Sequence, residues 1–130
     1  MPGSTRELPH PDAADLLLTD VLFALSDPAR LEITRRLAEG PLEVAACQPT
    51  GGDIPKSTLS HHLKTLREAG VVRNVPHGRQ RYVSLRRDDL EQRFPGLLSA
   101  VLHATPAGEQ SAARAASDAT AGPGPGPAQR

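Results

Sequence analysis

Tryptophan is absent from this 130-residue sequence, tyrosine occurs once and phenylalanine twice. Leu, Val and Ala must therefore fill the core, and a core built that way is small enough to depend on a second subunit. There is one cysteine, Cys47, which excludes an internal disulfide and fits a reducing compartment. No apolar run approaches the ~20 residues of a membrane span. The N-terminus has no basic stretch leading into an apolar one, so no secretory leader is expected. These absences point to a cytoplasmic protein without membrane association. Equally absent are a Gly-rich phosphate loop, a metal-ligand cluster and a nucleophile beside a base. Catalysis, a cofactor and a bound metal are therefore not expected.

What is present is segregated charge. The formal net charge is zero, yet Lys56 to Arg87 holds eight basic residues against Glu68 alone, a net +7. The remaining seven basic and fourteen acidic residues give −7. A neutral chain with one strongly basic third is suited to an anionic polymer. A merely solvated charged face is the plainer alternative.

Composition divides the chain into three parts. Residues 1–12 read as a flexible N-terminal arm, and residues 105–130 as a disordered tail rich in Ala, Gly and Pro. Residues 13–104 are left as one domain. Within it, a first helix is expected over Ala13–Leu25, with more apolar surface than one small domain can cover. In S-D-P-A-R, Asp27 can cap a second helix and Pro28 suits its first turn. That helix should run to Glu39 and stop at Gly40. Leu42–Cys47 reads as a short third helix, and Q-P-T-G-G-D as a turn. A fourth helix opens at Pro55 and ends at Ala69-Gly70. Val71–Val75 and Arg79–Leu85 then read as two strands, with His77 and Gly78 at the tip between them. A last helix, Asp88–His103, is interrupted near Phe94-Pro95-Gly96. The fold class is mostly α with a β-hairpin, a winged helix-turn-helix.

The fourth helix, K-S-T-L-S-H-H-L-K-T-L-R-E, carries the functional reading. Leu63 and Leu66 fall within about 40° of Leu59, so these three pack inward. Lys56, Ser57, Thr58, Ser60, His61 and Lys64 occupy or flank the other side. Short hydroxyls allow close approach to base edges, the lysines meet phosphates, and the helix N-terminus favours an anion. His62, about 60° from the stripe centre, should be partly buried and hydrogen-bonded within the domain. In H-G-R-Q-R, His77, Arg79 and Arg81 can reach DNA beside that helix. Arg73 and Arg86 read as ion-paired or solvated.

The segments L-S-D-P-A-R-L-E-I, L-A-E-G-P-L, S-T-L-S-H-H-L-K-T-L-R-E-A-G-V-V and G-R-Q-R-Y-V-S-L, spread over Val21 to Leu85, together resemble the ArsR-type winged-helix repressors. The resemblance implies a homodimer joined through the first and last helices, here Leu16, Leu17, Val21, Leu97, Leu98, Val101 and Leu102. It further implies an inverted-repeat operator on double-stranded DNA, repression of transcription, and release by an effector. Members that sense arsenic or cadmium carry a C-x-C pattern where this chain has Glu43 and Ala45. Zinc-sensing members use Asp/His pairs on the last helix, where Asp89, Glu91 and His103 do not complete the pattern. Cys47 reads as a packing residue. The expected effector is an unidentified small molecule and not a metal at those sites. The alternatives are a metal- or redox-responsive repressor and a winged-helix module that binds protein rather than DNA.

Overall fold

The computed structural model describes residues 7–49 and 53–104. The tail at 105–130 and the first six residues of the arm lie outside the described residues. Element order is α1 (Leu18–Leu25), α2 (Pro28–Leu37), β1 (Leu42–Glu43), α3 (Lys56–Glu68), β2 (Val72–His77), β3 (Gln80–Leu85), α4 (Arg87–Arg93) and α5 (Leu97–His103). The strands form one antiparallel sheet in the order β1-β3-β2. Residues up to Leu98 make one compact unit. Ser99 onward is a second, whose described residues continue the helix to His103, with Ser99 Oγ 3.3 Å from His103 Nδ1.

The expected first helix is shorter than its sequence pattern. Ala13–Asp15 form one 3-10 turn, Leu16 and Leu17 are extended, and α1 starts only at Leu18. The reason lies in Leu16. Its side chain is buried, and its carbonyl accepts from Arg93 Nη2 at 2.6 Å instead of from an amide further along a helix.

α2 begins as its sequence dictates. Asp27 Oδ2 accepts from the amides of Ala29 (2.9 Å) and Arg30 (3.1 Å), with Pro28 in the first turn. The short helix expected at Leu42–Cys47 is instead a strand followed by a 3-10 turn at Val44–Ala46. Leu42 and Glu43 pair with Val83 and Tyr82, and covering the open edge of β3 outweighs a weak local preference for helix.

α3 ends in a Schellman motif. Gly70 adopts φ +88°, the Val71 amide donates to Leu66 O at 2.9 Å, and the Gly70 amide donates to Arg67 O at 3.0 Å. The chain is thereby turned straight into β2. Strand β3 starts at Gln80, one residue later than expected, so the turn is Gly78-Arg79 and His77 closes β2. The last helix is broken at Phe94–Gly96 as anticipated, with Gly96 at φ +82°. The core gathers Leu16, Val21, Ile33, Leu37, Leu59, Leu66, Val71, Val83 and Leu90 from every layer.

Candidate nucleic-acid interface

Helix α3 buries Leu59, Leu63 and Leu66, which fixes its rotation. Lys56, Ser57, Ser60, His61 and Lys64 are exposed, and Thr58 is half-buried. Pro55 precedes the helix and offers no side-chain acceptor to its first amides. In its last turn, Arg67 is buried, donating from Nη1 to Pro9 O at 2.6 Å.

Rotation of α3 against α2 is set by a buried node that the sequence reading did not identify. Arg30 donates from Nε to Ala24 O at 2.7 Å and from Nη2 to Phe23 O at 3.4 Å, closing the end of α1. Its Nη1 lies 3.2 Å from His62 Nδ1. Arginine can only donate, so Nδ1 accepts and the ring proton sits on Nε2, which faces Asp27 Oδ2 at 3.9 Å. His62 is thus the partly buried, bonded histidine that periodicity pointed to. Burial holds it below the ordinary 6.5, with Arg30 and His61 acting in the same sense and Asp27 opposing. Burial alone would raise the Asp27 carboxyl, but bonds and charges from Arg30, Ala29 and His62 bring it below its ordinary value. Arg30 was legible in principle, since it shares a helical stripe with Ile33, Thr34 and Leu37.

At the hairpin, Arg79 sits in the turn and is exposed, as are His77 and Gln80. The rings of His77 and Tyr82 meet edge to face at 5.5 Å. Arg81 is different: it lies on the inner face with Val83, half-buried, and donates to Asn74 Oδ1 (2.9 Å) and Asn74 O (3.0 Å). Arg79 and Arg81 therefore do not present one shared face. Arg73 is exposed and pairs with Asp89 at 3.2 Å, whereas Arg86 is buried, pairing with Asp89 and donating to Pro11 O at 2.8 Å.

Residues 7–12 are tied down rather than loose. Besides the contacts of Pro9 and Pro11, His10 Nε2 accepts from the Asn74 amide at 3.0 Å. Burial, helped by the charges of Arg67, Arg73 and Arg86, holds His10 below the usual histidine value. Little in the composition of this segment signalled its docking, because apart from His10 it is held through its own backbone carbonyls, which accept from Arg67 and Arg86.

Of the residues expected at a subunit interface, Leu16, Val21 and Leu98 are buried within the single chain. Leu97, Val101 and Leu102 are half-buried. Leu17, also expected there, is 56% exposed, and among the described residues the other exposed large apolar side chains are Leu18 (44%), Leu22 (43%) and Phe23 (65%). Cys47 is fully buried, its Sγ 3.5 Å from Glu43 O, and burial raises the thiol to about 11 despite nearby Arg36. Among the described residues no three His, Cys, Asp or Glu side chains gather as metal ligands. No described helix is long and apolar enough to cross a membrane.

A helix-turn-helix whose second helix is followed by a two-stranded ribbon defines the winged-helix class. Relatives narrow this further. The pattern of a helix-turn-helix domain matches residues 25–75. Over 86 residues the chain is 41% identical to the HTH-type transcriptional regulator YceK of Bacillus subtilis (strain 168), the match spanning 65% of this chain and 85% of that protein. It is similar to the solved structure of a possible transcriptional regulator for arsenical resistance, at 32% identity and TM-score 0.50, covering 56% of this chain and 75% of the other. It shares its fold with an ArsR family transcriptional regulator at 24% identity and TM-score 0.52, covering 63% and 84%. The chain belongs to the ArsR-type winged helix-turn-helix transcriptional regulators.

Proposed function

We propose that this regulator is a homodimeric repressor that binds an inverted-repeat operator in double-stranded DNA. The observation that carries the reading is the exposed, carboxylate-free face of α3 from Lys56 to Lys64, beside a hairpin whose turn carries Arg79. Lys56, Ser57, Thr58, Ser60, His61 and Lys64 enter the major groove or meet its phosphates, and the uncapped amides of Lys56, Ser57 and Thr58 receive a phosphate. His77 and Arg79 contact the flanking backbone, with Arg81 adding charge from behind.

Dimerisation uses the apolar surface left open by α1, namely Leu17, Leu18, Leu22 and Phe23, together with Leu97, Val101 and Leu102 of α5. Leu16, Val21 and Leu98 support that surface from within the chain. Release from DNA answers an effector other than a metal at the usual family sites.

The test is selection from random duplex DNA by the purified chain, followed by titration at two salt concentrations. An inverted repeat bound by a dimer, with affinity falling steeply in salt, is the expected outcome. Recovery of no enriched sequence together with salt-independent binding would point instead to a protein-binding module.

A further inference from the structure

Between α3, the inner face of the hairpin and the docked N-terminal segment lies a cleft of about 350 Å³, near the lower end of small-molecule sites, about 300–1,000 Å³. Its polar lining is Ser60, Lys64 and Arg67 from α3, with Asn74 and Arg81 from the hairpin; Leu8, Val44 and Leu63 supply apolar wall. Three of these side chains are cationic and none is a carboxylate. Ser60, Lys64 and Arg67 recur at helical spacing, so one stripe of α3 faces the cleft. Neither Lys64 nor Arg67 forms an ion pair with any described residue, although Arg67 is buried with a single backbone carbonyl as its hydrogen-bond partner. An adjoining cleft along the same helix is lined by Glu43 and Asp53 as well as by cations, and so lacks this one-signed character.

We propose that the cleft binds a small organic oxyanion, a phosphate monoester or carboxylate on an apolar body, and that this ligand is the effector that weakens DNA binding. The oxyanion meets Lys64, Arg67 and Arg81, and the apolar body lies on Leu8, Val44 and Leu63. Neutralising Lys64 and covering Ser60 removes two of the contacts assigned above to DNA, so ligand and operator compete. This regulatory role rests on the proposed DNA reading; the binding site itself does not.

The experiment uses the full chain and two probes at constant ionic strength, phenyl phosphate and inorganic phosphate. Binding without DNA is followed by the amide resonances of Ser60, Lys64 and Asn74, and operator affinity is measured in parallel. Phenyl phosphate is expected to bind at least about tenfold more tightly than inorganic phosphate, because part of a phenyl ring leaves water. Leu8→Ala should bring the two probes to within about threefold while leaving operator affinity without probe within about twofold. Lys64→Gln should weaken both probes. Equal affinities in the native chain, or a preference that survives Leu8→Ala with the fold intact, would show only a seat for a bare phosphate such as that of DNA, and would overturn the proposal. If the chain binds no operator yet keeps the phenyl phosphate preference, the repressor reading fails and the site stands. If it binds operator and phenyl phosphate leaves that affinity unchanged, the effector role fails.

Discussion

A Cβ placed on Gly70 would collide with the Cδ2 of Leu16 and lie 3.2 Å from its Cγ. The glycine that turns α3 into β2 is thus also the floor on which the segment before α1 rests. Leu16 is 1% exposed and cannot swing away, and φ +88° disfavours any side chain at Gly70. Gly70→Ala is expected to cost about 2–4 kcal/mol of stability, from strain and overpacking together. An unchanged urea midpoint would refute that packing.

Stability should fall on mild acidification. His62 and His10 are both held below 6.5 in the fold, so an unfolded chain takes up protons that the folded chain resists. Their contribution is complete above about pH 6.5 and is lost as pH falls toward their lowered values. The urea midpoint is expected to drop between about pH 7 and about pH 5.5. The double change His10→Gln with His62→Gln should flatten that drop; an equally steep profile in the variant would assign it to other groups.

The wing and the helix should fail in different ways. Arg79→Ala is expected to weaken binding to all duplexes and reduce the salt slope by about 1, as loss of one phosphate contact does. Ser57→Ala or His61→Ala should change which bases are preferred, with the slope nearly constant. Arg81→Ala should lower affinity and also loosen the hairpin, since its guanidinium holds Asn74. Unaltered affinity in Arg79→Ala would remove the wing from the interface.

Subunit contact and core are separable at neighbouring residues. Leu17→Glu with Leu22→Glu changes exposed positions, and the expected result is a monomer by sedimentation with unchanged helix content. Its operator affinity should be lower by at least about tenfold, because the second half-site is lost. Leu16→Ala should instead destabilise each chain by about 2–5 kcal/mol through a core cavity. A dimer that persists in the double glutamate variant would place the interface elsewhere.

Cys47 should be inert in the native protein. With its thiol raised to about 11, roughly one molecule in a thousand carries thiolate at pH 8. Modification by a disulfide reagent is expected only at the rate of unfolding. Fast stoichiometric reaction, with loss of DNA binding, would revive a redox-sensing role.

Periodicity by itself determined α2, the buried stripe of α3, the partly buried His62, the hairpin and the break before α5. Each of these rests on spacing along the chain and on local signals such as Asp27-Pro28 and Gly70, which act over a turn or two of backbone. The basic segment between Lys56 and Arg87 was likewise visible as composition. Tertiary structure decided what depends on partners distant in sequence. Leu42 and Glu43 became a strand because β3 had an edge to cover, and Leu16 left the helical path for Gly70 and Arg93. Three basic residues counted as one surface were divided by their neighbours: Arg79 is exposed in the turn, while Arg67 and Arg81 were drawn to Pro9 and Asn74. A guanidinium goes where an acceptor lies within reach, and that distance is set by the folded chain.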